Sequence, residues 1–430
     1  MQPDSEMQNL AVIGAGIGGC SAAYFAQRYL PGAKVVVFDS QNRIGGRILT
    51  YNSTEGPMEL GAAFFNCFNR TLFDIVKAER LKITPIEEGM DFAVWNGSKF
   101  VFRSKRHSFF TNLTLFAAYR LSLARTYFLL RKVKGQVAKL YQEEREKPAD
   151  INEIFELTGL DNWHKKTFRK AAEERAISQA IIDEILTPIT RAIYSQNAEL
   201  GGFAGISSLI GVYSGVTYKL AEGNGTLPLQ LLEASNAAVK LGKKVDLIEK
   251  TSKGFYKIYT GEDTSVFNGV IIATPLEEAN IKFDGFDANC WEPQPYQTVY
   301  RKVMRGVFNP AYFDLRNSVD PPSLVLTTKD AGPITQFSIK RASHGEFLVT
   351  ISSPEPLNSN THNGIFKNGG VTILDHRWKA AYPVFKPISK LPPTRLDKRL
   401  MYLNAMEPSV SSMETSALSA INAVRMLLKE

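Results

Sequence analysis

Leu10-Ala11-Val12-Ile13-Gly14-Ala15-Gly16-Ile17-Gly18-Gly19, continuing as Cys20-Ser21-Ala22-Ala23-Tyr24-Phe25-Ala26, places a short apolar run, a glycine cluster and a helix-forming stretch in direct succession. That order predicts a strand, a tight turn and a helix. Gly14 permits the turn, Gly16 lets backbone approach a pyrophosphate, and Gly19 lets the helix pack closely on the strand, with Ile17 and Gly18 completing the turn. The phosphate would sit at the positive end of the helix, where unpaired N–H groups point outward. A second apolar run, Lys34 to Phe38, ends in Asp39 and Ser40, about twenty residues past the last glycine, where an acid accepts hydrogen bonds from ribose hydroxyls. A glycine motif alone is weak, but with both strands, the helix and the terminal acid it predicts an α/β, Rossmann-type dinucleotide-binding domain.

At 430 residues, 44% apolar and 22% charged, the chain is expected to form two packed domains, or one with a large insertion. Its net charge of +8 thickens around Arg103 to Arg106, Arg120 to Lys139 and Lys165 to Lys170. Such stretches read as a solvated basic surface or as attraction to an anionic membrane, so peripheral membrane association stays open. No recognition motif accompanies the charge, and nucleic acid is not an expected partner. Cys20, Cys67 and Cys290 have no metal-ligand spacing and form no disulfide framework. Cys20 reads as a packing residue, a single bridge between the other two stays open, and no metal is expected. The uncharged stretch Leu200 to Tyr218 contains five glycines and is expected to be buried loop and turn rather than a membrane span. No secretory hydrophobic run precedes the first strand, so the chain is expected to be cytosolic or written without its signal. Sequons at Asn52, Asn69, Asn96, Asn112 and Asn224 are compatible with a secretory history.

The continuation Arg43-Ile44-Gly45-Gly46-Arg47 resembles the extended motif of glutathione-reductase-like flavoproteins, especially their amine-oxidase branch. That resemblance implies FAD, with the glycines passing close to the cofactor and Arg47 a fixed cation near its phosphates. In Met58 to Phe65, the small residues Gly61, Ala62 and Ala63 suit either backbone lying against a flat ring system or a tight corner without a ligand. Asp91 to Phe102 reads as a hairpin about Asn96-Gly97. Asn112 to Tyr141 is helical and aromatic, closing in the charged run Gln142 to Lys147, and further helices are expected from Asp150 to Leu186. Arg103 to Pro188 is then a helical insertion, either the wall of a substrate cavity or a bundle packed on itself. Ala221 to Pro228 opens a helix to about Leu241, and strands follow at Val245 to Glu249, Tyr256 to Tyr259 and Val270 to Thr274. Tyr296 to Pro354 alternates as an antiparallel sheet, and Pro354 to Gly370 reads as an exposed loop. Leu400 to Glu407 is a strand and turn before a final helix capped by Ser411 or Ser412, whose first N–H groups can meet the pyrimidine edge of a flavin. The expected division is a first FAD-binding part (1–102), a helical insertion (103–188), a second FAD-binding part (189–290), an antiparallel substrate domain (291–395) and a C-terminal FAD-binding strand and helix (396–430).

Over nearly its full length the chain resembles the prenylcysteine oxidases, also called prenylcysteine or farnesylcysteine lyases. The resemblance rests on the two glycine segments, Glu59-Leu60-Gly61-Ala62-Ala63, Phe203-Ala204-Gly205 with Leu209, Glu222-Gly223-Asn224-Gly225, Ile272-Ala273-Thr274-Pro275-Leu276, Tyr296-Gln297, Trp378 with Ala381-Tyr382-Pro383, and Tyr402-Leu403-Asn404 through Met413-Glu414. Departures are Ala405 where the family has glycine, a rearranged Glu222 to Gly225 turn, a shorter C-terminus and no secretory signal. The resemblance implies oxidation of farnesylcysteine or geranylgeranylcysteine by hydride transfer to FAD, giving prenyl aldehyde, cysteine and hydrogen peroxide. It also implies a lysosomal or secretory setting if a signal was left off. Beyond the residues already given, Val245, Ala273, Thr274, Glu407, Ser412 and Met413 complete the set expected to hold the cofactor. Phe116, Tyr119 and Phe128, with a basic rim of Arg120, Arg125, Arg131 and Lys132, are expected to line an apolar tunnel or membrane-facing mouth for the isoprenoid. Such chemistry needs orientation more than a base, and no catalytic residue is nominated. Two other readings stay open: an amine-oxidase-like enzyme, and an idle FAD-binding protein.

Overall fold

The computed structural model describes all residues except 1–6, 87–90, 105–118, 120, 214–215, 287–291, 317–319, 358–363 and 430. The strand Asn9–Ile13 pairs in parallel with Lys34–Phe38 on one side and with Gly269–Ile272 on the other. Ala238–Lys240 extends the sheet past Lys34–Phe38, while Leu400–Tyr402 and Arg395–Asp397 extend it past Gly269–Ile272. Connections thus leave the first strand in both directions, and a crevice opens at its carboxyl end, beside the glycine turn. The helix Ile17–Tyr29 packs against Thr226–Ser235 and Met413–Leu427. The expected Rossmann-type fold is present. The helix opened by Thr226 stops earlier than expected, because Asn236 takes a left-handed conformation there and Ala238–Lys240 turns back as an edge strand.

A second, seven-stranded sheet runs Val371–Pro383, Tyr296–Gly306, Phe347–Ser353, Gln336–Arg341, Leu324–Thr327, Phe92–Trp95 and Phe100–Arg103. The last two form the expected hairpin. It pairs in parallel with Leu324–Thr327, so it belongs to this sheet rather than to the nucleotide-binding part in which residues 1–102 were expected to fall. The segment expected to be an exposed loop buries Leu357, Ile365 and Phe366 against this sheet's core.

Helices cover the third side. Leu121–Glu146 runs on through most of the charged run expected to close it. Ile151–Thr158 is capped by the Asp150 side chain, which accepts from the Asn152 N–H, and stops at left-handed Gly159. The uncharged stretch expected to be loop is largely the helix Gly202–Tyr213. Its glycines serve close packing rather than turns: a Cβ on Gly205 would stand 2.3 Å from the Phe168 ring, and one on Gly202 would stand 2.5 Å from the Trp163 carbonyl oxygen. No described helix is long and apolar enough to cross a membrane.

His164 lies buried in this layer, its ring stacked 5.7 Å from Phe155 and its Nδ1 without a partner among the described residues. Burial, helped by Lys165, lowers its pKa from 6.5 to about 4. Between these values the unfolded chain binds the proton that the folded chain refuses, so stability is full above pH 6.5 and falls as the pH drops towards 4. A shift of this size corresponds to about 3 kcal/mol at most. His164→Gln is expected to flatten the decline of melting temperature over that range, and parallel pH profiles for the two proteins would rule out this source of acid sensitivity.

Candidate functional site

Backbone packing defines the crevice. Gly14 has φ +110°, and a Cβ there would stand 2.7 Å from the Ala273 carbonyl oxygen. The two glycine segments meet directly: the Gly45 N–H donates to the Ala15 carbonyl at 2.8 Å, and a Cβ on Gly46 would stand 2.9 Å from the Gly16 Cα. Gly16 is the N-cap of Ile17–Tyr29 and provides no side-chain cap, so the leading N–H groups around Ile17 and Gly18 suit an anion. Asp39 accepts the Ala15 and Gln41 N–H groups, one on each oxygen, both at 2.7 Å. A carboxylate has about four lone-pair sites, which leaves capacity for ribose hydroxyls. Ser40 beside it is exposed. Buried Val245 follows Lys243, whose N–H donates to the Asp39 carbonyl at 2.8 Å. Ala273 and Thr274 close the end of Gly269–Ile272 against Gly14.

Gly61, Ala62 and Ala63 leave the strand Gly56–Glu59 along the Arg47 backbone, with the Ala62 N–H donating to the Arg47 carbonyl at 3.2 Å. Asn224 clamps this segment: its N–H donates to Glu59 Oε1 at 2.8 Å and its Nδ2 to the Ala62 carbonyl at 3.0 Å. Being only 1% exposed, Asn224 is closed to glycosylation in the folded chain, and this sequon carries no evidence of a secretory history.

Arg47 pairs with Glu407 at 2.5 Å and donates to the Ala381 carbonyl at 3.1 Å. Glu407 also accepts from the Tyr296 hydroxyl at 3.0 Å, the Ser411 hydroxyl at 2.9 Å and the Asn404 amide at 2.5 Å. Burial pushes its pKa up, but the Arg47 charge and these hydrogen bonds outweigh burial and hold it below the usual value. Four protein donors occupy the carboxylate, so Glu407 positions Arg47 and Tyr296 rather than offering itself freely to a cofactor. Ser411 is thereby drawn away from helix capping. Ser412 accepts the Thr415 N–H at 3.1 Å as the cap of Met413–Leu427, with Met413 buried behind it.

An aromatic wall adjoins this cluster. Tyr194 lies 5.0 Å from the Tyr382 ring and 4.8 Å from Phe385, and its hydroxyl donates to the Ser411 carbonyl. Burial raises the pKa values of Tyr194, Tyr296 and Tyr382, keeping all three phenols neutral. Tyr296, Tyr382 and Arg47 are half-buried, so each keeps accessible surface beside this cluster. Trp378 joins the second sheet to this region through its Nε1 donation to the Leu60 carbonyl at 2.8 Å. A surface cleft of about 250 Å³ lined by Phe25, Arg28, Tyr29 and Arg425 sits at the far end of Ile17–Tyr29 and takes no part in this site.

Of the expected substrate residues, the two that are described face opposite ways, one inward and one outward. Phe116 lies outside the described residues. Tyr119 is buried, with its hydroxyl donating to Glu184 at 2.7 Å. Phe128 is 61% exposed on an outer stripe with Leu121, Arg125 and Lys132, because Leu129, Leu130, Val133 and Leu140 take the inner face of the helix. Phe128 therefore lines no enclosed tunnel. Sequence reasoning missed Tyr194 and Tyr382 as site residues, although Tyr382 stands in a stretch already singled out. Cys67 is free and exposed, and Cys290, the other half of the bridge left open, lies outside the described residues.

Residues 102–430 match the family described as prenylcysteine lyase, and residues 12–78 match the NAD(P)-binding Rossmann-like domain. Farnesylcysteine lyase of Arabidopsis thaliana is 27% identical, over 99% of this chain and 89% of its own length. Prenylcysteine oxidase 1 of Homo sapiens is 27% identical, over 96% and 87%. The solved cyclohexylamine oxidase from Brevibacterium oxydans IH-35A shares 14% identity with a TM-score of 0.69, covering 98% of this chain and 99% of that one, a likeness that speaks for the fold alone. With the family match running from the hairpin to the last helix, the chain belongs to the prenylcysteine lyase family.

Proposed function

We propose that this protein is an FAD-dependent oxidase that cleaves the thioether of a prenylated cysteine, farnesylcysteine or geranylgeranylcysteine. Family membership across residues 102–430 carries this reading, and the names of the relatives supply the substrate class. The residues fit the cofactor: Gly14, Gly16, Ile17, Gly18 and Gly19 form a side-chain-free cradle at a helix N-terminus for a pyrophosphate. Asp39 and Ser40 would take the ribose, Val245 the adenine side, and Gly45, Gly46, Arg47, Gly61, Ala62, Ala63, Ala273 and Thr274 the surrounding backbone. Ser412 and Met413 would place the last helix against the flavin, with Glu407 acting through Arg47. The nucleotide sheet with its helices would be the FAD-binding domain, and the seven-stranded sheet with the helical layer the substrate domain.

Bound FAD supplies a two-electron acceptor for hydride from the sulfur-bound prenyl carbon, so that prenylcysteine, water and oxygen give prenyl aldehyde, cysteine and hydrogen peroxide. The chain's own part is orientation and shielding from bulk water. Tyr382, backed by buried Tyr194 and Phe385, would present an aromatic face to the substrate. Arg47, fixed by Glu407, and the N-terminus of Met413–Leu427 hold positive potential in an enclosed space, where it acts more strongly than in water.

The purified protein is expected to be yellow and, without oxygen, to bleach on adding farnesylcysteine. After air is admitted, aldehyde, cysteine and peroxide should appear in equal amounts. Bleaching by small amines instead would favour the amine-oxidase-like alternative, and no bleaching at all the idle one; sulfoxide as the sole product would sink hydride transfer. Peripheral membrane contact belongs to the same proposal, since the outer stripe Leu121, Arg125, Phe128 and Lys132 combines exposed apolar and basic side chains. Phe128→Ser is expected to weaken cosedimentation with phosphatidylserine vesicles, and unchanged cosedimentation would remove that stripe as a contact.

A further inference from the structure

Arg301 occupies the middle of Tyr296–Gly306, where it pairs with Ser352 on one neighbouring strand and His376 on the other, so the three side chains share one face of the second sheet. Its Nε donates to the Ser352 hydroxyl at 3.3 Å, and its Nη1 donates to the carbonyls of Glu59 and Gly61, each at 3.2 Å. Those bonds aim the guanidinium at the segment that borders the cofactor crevice. Nη2 has no partner among the described residues and keeps contact with solvent. No described carboxylate lies within ion-pairing distance of it. Protein encloses the side chain, and burial lowers its pKa, opposed by Tyr382 and Glu59. A half-buried cation with no ion-pair contact is costly to maintain, and Arg191 shows the contrast: that guanidinium is buried, yet Asn197, Thr327 and two carbonyls occupy its donors. His376 adds a second polar group to the same face, with Nε2 buried and without a partner among the described residues and its ring 4.4 Å from Trp378.

We propose that Arg301 is the carboxylate receptor of the substrate chamber, its Nη2 edge taking the α-carboxylate of the cysteine part of the substrate. This rests on the prenylcysteine reading above and deepens it: the hydrocarbon supplies affinity, and one charge-assisted contact fixes which end of the molecule faces inward. Planar guanidinium and carboxylate groups match in geometry, and such a contact is worth more in an enclosed site than at a surface.

The test compares kcat/KM for S-farnesylcysteine and for S-farnesylcysteamine, which lacks only the carboxylate, in wild type, Arg301→Met and Arg301→Lys. Because each protein is its own control, losses of folding or flavin content cancel in the ratio. Wild type is expected to prefer farnesylcysteine by about tenfold or more, the scale of one charge-assisted hydrogen bond. The preference should collapse to below about twofold in Arg301→Met and be partly restored in Arg301→Lys. A preference that survives Arg301→Met would show that Arg301 only pins the sheet to Glu59 and Gly61. A wild-type ratio near one would overturn the proposal even if the variants failed to fold. Wild type that turns over neither compound would overturn the substrate assignment itself, and this proposal with it.

Discussion

Gly16→Val is expected to yield a folded protein without flavin colour. Gly16 has φ −77° and ψ −177°, an extended conformation open to any residue, and its added Cβ would meet nothing closer than Gly46 Cα at 3.7 Å. The polypeptide itself therefore tolerates a side chain there. The space that the side chain fills is the approach to the helix N-terminus, where a pyrophosphate needs direct contact with backbone N–H groups. Losing that contact should weaken FAD retention by roughly a hundredfold or more, equivalent to about 3 kcal/mol. Gly19→Val supplies the contrast, since its Cβ would stand 1.8 Å from the Gly14 carbonyl oxygen and the turn could not close. Flavin absorbance together with melting of the cofactor-free proteins separates the cases: Gly16→Val stable and colourless, Gly19→Val unfolded. A yellow Gly16→Val protein would remove the pyrophosphate from this turn.

Glu407→Ala has the second large effect, this time on stability. It strips Arg47 of its counter-charge inside the protein and leaves Tyr296, Asn404 and Ser411 without their shared acceptor. Breaking one side of such a pair costs about 3–5 kcal/mol, and the partial accessibility of Arg47 argues for the lower end. Adding Arg47→Met should return part of the loss, because removing both charges leaves no orphan cation. Chemical denaturation of the single and double variants provides the measurement. A double variant less stable than Glu407→Ala alone would show that Arg47 is held by something other than this carboxylate.

The nucleotide-binding unit was legible because its chemistry demands local spacing: Gly14, Gly16, Gly19 and Asp39 lie within one strand–helix–strand passage, and each glycine answers a contact made nearby. The helix Gly202–Tyr213 was not, because Gly202 and Gly205 are selected by Trp163 and Phe168, about forty residues away in sequence, and in isolation such glycines look like turns. Phe128 misled for a different reason. Composition placed it in an aromatic helix, but only the helical phase relative to Leu130 and Val133 decides whether it faces the core or the outside. Arg301 sits in an alternating strand beside Lys302, where nothing local distinguishes a cation aimed at a chamber from one aimed at water. The second sheet's partners, which bring Arg301, His376 and Trp378 to one face, are joined only by pairing across long stretches of chain.

The Arg47 knot also dictates when this protein becomes complete. Its three parts come from residue 47, from Ala381 and from Glu407, and Glu414 near the end of the chain accepts the N–H groups of Thr71 and Leu72 at 2.8 and 2.9 Å. On a ribosome that emits residues from the N-terminus onward, the glycine turn is therefore made early and closed last. Until Leu400–Tyr402 has entered the sheet and the final helix has docked, the chain exposes half of a crevice and one unpaired arginine, and contacts of such long sequence separation form slowly. A growing chain has every glycine of the turn in place long before the carboxylates that fix Arg47 and cap Thr71 and Leu72 have been made.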